Sequence, residues 1–335
     1  MYSLLLIFLS VSGILLTMAG RKRQNGWLAA AGVVVLVGSA IFFALLSFWG
    51  ELLWFTSIGY PDRFWTIVWM RILTGVGGAM IGLLGVALLT RLYWKKLGQF
   101  RFLVLAAGVV IGALWGLNSW DRILLYIHGV STELSEPILG LNTGFYLFTL
   151  PFLDQIYWLA LWIAVIGLAT AIASILDWSD NEAAHFPNAK DDEPAALQSI
   201  LWNAAVLAMV LAGGLILNVF HLMYSSSGVV AGPVWTDVHV RLPAYVIVAI
   251  LMVILALTAL LPPVQRMLDQ RLRGITALRT PQLKAGIVVW AGIGAVWFLA
   301  LGVIPPLVQW LVVEPNEITF ERPYIAHNIR FTRHG

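Results

Sequence analysis

An all-α, polytopic bundle of transmembrane helices, about eight spans with both termini extracytoplasmic, is the fold class this sequence predicts. Three observations predict it. Eight apolar stretches of bilayer-crossing length take up most of the 335 residues; a hydrocarbon core of ~30 Å needs about 20 apolar residues in helical form. The chain is 60% hydrophobic and 11% charged, with a mean hydropathy of +0.87, whereas a soluble domain carries about 25% charged residues. The runs are also continuous, unlike the alternating ~10-residue segments of an outer-membrane barrel. Cysteine is absent, which removes disulfides, thiolate nucleophiles, covalent c-type haem attachment and zinc–thiolate sites. A net charge of +3 gives no reason to expect nucleic acid or another polyanion as partner; the bilayer is the first partner.

The predicted spans are 2–19, 27–49, 65–90, 102–118, 152–176, 199–220, 242–262 and 285–304. No basic region precedes the first, and Arg21-Lys22-Arg23 follows it directly. That order reads as an uncleaved helix with an external N-terminus, a cleaved leader being the alternative. The third span holds Gly75, Gly77, Gly78, Gly82 and Gly85, with Gly78 and Gly82 in small-xxx-small register. Close helix packing is the simpler reading, a glycine-lined pore the other. Between the fourth and fifth spans, Asp121-Arg122-Ile123-Leu124-Leu125-Tyr126 is amphipathic enough for a surface helix, and the aromatic run at 140–152 is expected to dock on the bundle. The acidic loop 177–197 reads as solvated. Pro262-Pro263 is expected to close the seventh span, and Pro305-Pro306 the eighth, because proline cannot continue an α-helix.

Orientation follows from the basic residues. With the N-terminus outside, thirteen Lys and Arg side chains fall in the inner connections: Arg21, Lys22, Arg23, Arg91, Lys95, Lys96, Arg101, Lys190, Arg266, Arg271, Arg273, Arg279 and Lys284. The outer connections hold three, Arg63, Arg122 and Arg241. This is a strong positive-inside bias and predicts that both termini face out of the cytoplasm. Tryptophans mark the interfaces: Trp49, Trp54, Trp65, Trp69, Trp120 and Trp158 outside, Trp27, Trp94, Trp178 and Trp202 inside.

Ionisable groups at membrane depth are the default functional signal, and few are present. Arg71 lies about six residues into its span, roughly 9 Å at 1.5 Å per residue, where an arginine snorkels to the interface or pairs with Asp154, one turn into the fifth span from the same side; a substrate or ion site is the alternative. No chain of intramembrane Asp, Glu or His suggests a proton relay. The outer face is richer. His221 ends the sixth span, and Asp237, His239 and Arg241 alternate before the seventh, so that an extended segment would place them on one face. His221, Asp237 and His239 are weak candidates for a metal site; the competing reading has Asp237 capping the seventh helix or pairing with Arg241. No G-x-S-x-G nucleophile setting and no G-x-x-x-x-G-K-[ST] phosphate loop occurs. No cofactor is expected and no catalytic residue is assigned.

Three outer-side segments carry a resemblance. Gly144-Phe145-Tyr146-Leu147-Phe148-Thr149-Leu150-Pro151-Phe152 resembles an "FYxFxLPF" element. Gly228 with Trp235-Thr236-Asp237-Val238-His239-Val240-Arg241-Leu242-Pro243 resembles a "G…YTDVxxRLP" element, with Trp235 in place of tyrosine. Pro315-Asn316-Glu317, Glu321-Arg322-Pro323-Tyr324-Ile325, Asn328-Ile329 and Thr332-Arg333 resemble a "PNE…ERPYI…NI…TR" element. Together they are similar to the uncharacterised bacterial membrane-protein family UPF0182. The resemblance implies several membrane helices followed by a large extracytoplasmic region, in a bacterial cytoplasmic membrane. On that basis 1–313 is the bundle and 314–335 the start of an extracytoplasmic part, the chain being either partial or a short member working with another subunit.

The leading functional expectation is a non-catalytic anchor or assembly subunit that docks an extracytoplasmic domain or protein partner. Phe145, Tyr146, Asp237, Arg241, Asn316, Glu317, Arg322, Tyr324 and Arg333, with Arg71 and Asp154, are its docking or structural candidates. A transporter or channel using the bundle interior is the alternative, and a membrane enzyme with an outer-face site near Asp237 and His239 a third. The segment 314–335 is expected to dock, being too apolar and aromatic for a free end.

Overall fold

The computed structural model describes residues 2–174, 193–226, 232–261 and 290–334. Their helices are α1 (Tyr2–Lys22), α2 (Gly26–Ser57), α3 (Pro61–Thr90), α4 (Phe100–Ile127), α5 (Leu150–Ala173), α6 (Glu193–His221) and α7 (Leu242–Leu260). A last helical run, α8, covers Trp290–Arg333. Eight helices among the described residues are thus long and apolar enough to cross a membrane. The chain divides into two compact units, Met1–Ile72 and Leu73–Gly335.

In the first unit α1 and α2 form an antiparallel hairpin. Gln24 takes a left-handed φ of 50° and Asn25 caps α2, its Oδ1 accepting the N–H groups of Trp27 and Leu28 at 3.1 and 3.3 Å. Those two amides would otherwise lack partners at a helix start. Gly20 faces the backbone of Ala29, and Gly32 that of Thr17, so the two helices touch along small residues. At the unit's aromatic corner Phe64 meets Phe48 edge-on, with ring centres 5.1 Å apart.

The second unit packs its helices in sequence order, α4 on α5, α5 on α6, α6 on α7. Small residues are inside: Ala164, Ala171, Ala205, Ala208, Ala249 and Ala256 are buried, whereas Leu84, Leu103, Ile250 and Leu257 are exposed. Such an inverted distribution suits helices whose outward faces meet lipid tails and whose contacts gain from close backbone approach. The tightest seam joins α3 and α4. A side chain at Gly78 would run into the carbonyl of Gly112, and one at Gly82 into that of Gly108. The expected close packing of the third span is therefore what Gly78 and Gly82 do, and α4 supplies the matching row Gly108, Gly112 and Gly116. At the other end of α3, Tyr93 donates to the Gly167 carbonyl at 2.9 Å and lies 2.8 Å from the Thr170 hydroxyl. This ties the turn after α3 to α5.

Three expectations are corrected. Residues 121–126 are no separate surface helix but the end of α4, which runs on to Ile127. Nothing there breaks a helix, and Tyr126 stacks on Phe152 of α5 with ring centres 4.4 Å apart. Pro305-Pro306 does not close the last span. The helix widens into a π-helical stretch at Phe298–Val303, passes through Ile304–Val308, widens again at Gln309–Val313, and reaches an α-helical stretch at Glu317–His334. Proline lacks an N–H and crowds the carbonyl four residues back; a π turn just before it makes room for the ring. Lastly, α6 starts at Glu193, so the acidic stretch runs into a helix. The rest of that stretch, with the basic connection 266–284 and Pro262-Pro263, lies outside the described residues.

Candidate functional site

The chemistry of the second unit gathers at the end where α4 and α6 stop and α5 and α7 begin. The connection from α4 to α5 folds on itself. Asn142 Oδ1 accepts from the Thr132 amide at 3.1 Å and the Gly144 amide at 2.8 Å, while the Thr143 N–H donates to the Leu134 carbonyl at 3.0 Å. Glu136 closes a turn through its carboxylate, which accepts the N–H groups of Ile138 and Leu139 and, at 3.4 Å, the Tyr146 hydroxyl. Gly140 ends that turn at a φ of 72°, a conformation open to glycine at no steric cost. The chain then enters a π-helical turn, Phe145–Thr149. Phe145 packs edge-on against Phe220 with ring centres 5.1 Å apart, and the Tyr146 carbonyl accepts the Tyr224 hydroxyl at 3.0 Å.

A second π-helical turn, Asp237–Arg241, opens α7. The predicted extended segment is corrected: in this turn Asp237 and Arg241 meet across four residues, not by alternation. Asp237 is 0% exposed; its carboxylate takes the Arg241 guanidinium at 2.7 Å and the Val234 N–H at 3.3 Å. Burying a carboxylate is tolerable only with such partners. His239 lies flat on Trp235 with ring centres 4.5 Å apart, and Trp235 in turn meets Phe320 at 4.9 Å.

The helical stretch Glu317–His334 comes back onto these two segments. Glu321 is buried, and its carboxylate accepts the Trp235 N–H at 3.2 and 3.3 Å. Thr236 hydrogen-bonds Gln309 lower on α8. Tyr324 reaches His239 Nδ1 at 3.4 Å.

Two cavities lie among these described residues. One of about 550 Å³ lies between the α4–α5 connection, the end of α6 and the Glu317–His334 stretch, with Glu136, Tyr146, Tyr224, Tyr324, His327 and Phe331 among its walls. The other, about 410 Å³, is lined by Arg122, Asp154, Gln155, Asn218 and His221.

Asp154 here faces His221, whose Nε2 is 2.8 Å from its Oδ1. Arg71 is exposed on α3 within the first unit. The weak metal candidates go three ways: His221 to Asp154, Asp237 to Arg241, and His239 to Trp235. Among the described residues no group of three or more potential ligands converges. Tyr146, beside Phe145, and Tyr324 line one cavity, Asp237 and Arg241 pair with each other, Asn316, Arg322 and Arg333 are exposed, and Glu317 is half-buried. Glu136, His327 and Gln309 are additions. Glu136 sits in a Glu-Pro-x-x-Gly turn that was legible as a turn only, and His327 and Gln309 carry no local signal at all.

Residues 27–335 match the uncharacterised protein family UPF0182. The chain belongs to UPF0182. Relatives named UPF0182 protein include one from Synechococcus sp. (strain JA-3-3Ab), 30% identical over 87% of this chain and 34% of its own length. One from Geobacter sp. (strain M21) is 28% identical over 90% and 35%. One from Cupriavidus necator is 30% identical over 93% and 34%. This UPF0182 chain thus spans about a third of the length of the curated relatives it matches. No solved structure matches it.

Proposed function

We propose that this UPF0182 chain is a non-catalytic membrane anchor or assembly subunit, whose site-bearing end faces away from the cytoplasm and docks an extracytoplasmic domain or protein partner. One observation carries the reading. The three segments that resemble the family most closely are far apart in sequence yet meet at one end, where the Glu317–His334 stretch is pinned by Glu321 to Trp235. The pinned stretch keeps an outward side that includes Ile318, 84% exposed, with Arg322, Ile329 and Arg333. An apolar residue so exposed, flanked by arginines, suits a protein surface better than water. The loop charges favour an outer position for this end, and the greater length of the relatives leaves room for an extracytoplasmic region. A bacterial cytoplasmic membrane is the location that fits.

Two measurements test it. The absence of cysteine makes single-cysteine labelling clean. A cysteine at Ser225 or Ile318 should react with an impermeant maleimide in intact cells, and one at Lys95 only after the membrane is opened. The reverse pattern would overturn the orientation. Deleting 317–334 should leave the bundle inserted but shrink the complex seen on native gels of the native membrane. An unchanged complex size would overturn docking.

A further inference from the structure

The 550 Å³ cavity has walls from four separated stretches of chain and a size within the ~300–1,000 Å³ range of small-molecule sites. Its lining is mainly apolar, and among the described lining residues there is neither lysine nor arginine. One carboxylate, Glu136, sits in the wall at 9% exposure. The partners of that carboxylate are two backbone amides and a phenol, all neutral donors. A neutral acceptor would cap the same turn, so closing the loop accounts for the hydrogen bonds but not for the charge, and no ion pair among the described residues involves Glu136. Tyr146, Tyr224 and Tyr324 line the same cavity, and aromatic rings attract cations. Elsewhere in the wall, His327 Nδ1 is a buried atom with no hydrogen-bond partner among the described residues. In the tautomer protonated at Nε2 it is an acceptor.

We infer that this cavity binds an organic ammonium compound with an apolar body. The ammonium group sits on Glu136 among the tyrosine rings, the body lies along Leu147, Met223 and Phe331, and a second donor on the ligand reaches His327. A carboxylate or phosphate ligand would be repelled by Glu136, and a purely apolar one would leave both polar groups unsatisfied. The ammonium has two possible sources, the aminoethyl head of a membrane lipid or a free amine.

The test uses the full chain purified in maltoside micelles, with labelled 4-phenylbutylamine and its uncharged analogue 4-phenylbutanol in equilibrium dialysis. The amine should bind saturably. Glu136→Gln should weaken the amine at least tenfold and leave the alcohol unchanged, which a misfolded variant could not do. Thr332→Trp, which fills the cavity, should abolish binding of both. Competition by phosphatidylethanolamine at low lipid-to-protein ratio marks the lipid source, and its failure to compete marks a free amine. Absence of saturable amine binding, an equal loss of both probes in Glu136→Gln, or unaltered binding in Thr332→Trp overturns the proposal.

Discussion

Replacing Arg241 by leucine is expected to destabilise the second unit by about 3–5 kcal/mol, the range for removing one partner of a buried ion pair. The cost falls on the partner left behind. Asp237 is 0% exposed, and without the guanidinium 2.7 Å away its charge would keep a single backbone donor at 3.3 Å. Asp237→Asn retains the shape and a hydrogen-bonding head while removing the charge that needs compensation, so it should cost about 1–2 kcal/mol, the scale of one imperfect buried hydrogen bond. The ordering is the informative part. Thermal unfolding in maltoside, followed by near-ultraviolet circular dichroism, should rank wild type above Asp237→Asn and that above Arg241→Leu. Equal stability of the two variants would mean that the pair is solvated, contrary to the geometry described.

Gly112→Leu is expected to separate α3 from α4. Overpacking a core costs about 1–3 kcal/mol when neighbouring side chains can move aside. Here the obstacle is the Gly78 carbonyl, which is held in its own helix, so the effect should exceed ~3 kcal/mol. Gly77→Leu is the control: it lies in the same glycine-rich stretch but faces open space and should be tolerated. Membrane insertion should survive in both variants, because the hydropathy of each span only rises. Protease resistance of the inserted chain should be lost in Gly112→Leu alone. If both variants behave alike, glycine content rather than position matters and the seam is misassigned.

The membrane architecture was almost entirely legible in the sequence, for a physical reason: a bilayer demands long apolar helices, and length and hydropathy are properties of the chain alone. Gly78 and Gly82 could likewise be read as a packing seam before their partners were known. What escaped were features set by neighbours. Pro305-Pro306 looked like a terminator because a regular helix cannot accommodate it, yet the helix widens at Phe298–Val303 and goes on. Asp237, His239 and Arg241 looked like one face of a strand because alternation is the simplest pattern, and the π-helical turn replaced it with a pairing across four residues. Glu136 and His327 are 191 positions apart and share one cavity; no local pattern joins them.

The widened turns at Phe145–Thr149, Asp237–Arg241, Phe298–Val303 and Gln309–Val313 have a consequence for how such a gene can change. Each π turn carries one residue more than the α-helix would need, and one residue of an α-helix is worth about 100° of rotation. An in-frame loss of a single codon at Val238 would leave the hydropathy profile almost untouched. It would nevertheless let the turn relax to a regular helix and swing Trp235 and Thr236 about a third of a circle around the α7 axis, away from Glu321 and Gln309. At these four places the gain or loss of one codon is expected to disturb the packing more than most single substitutions would.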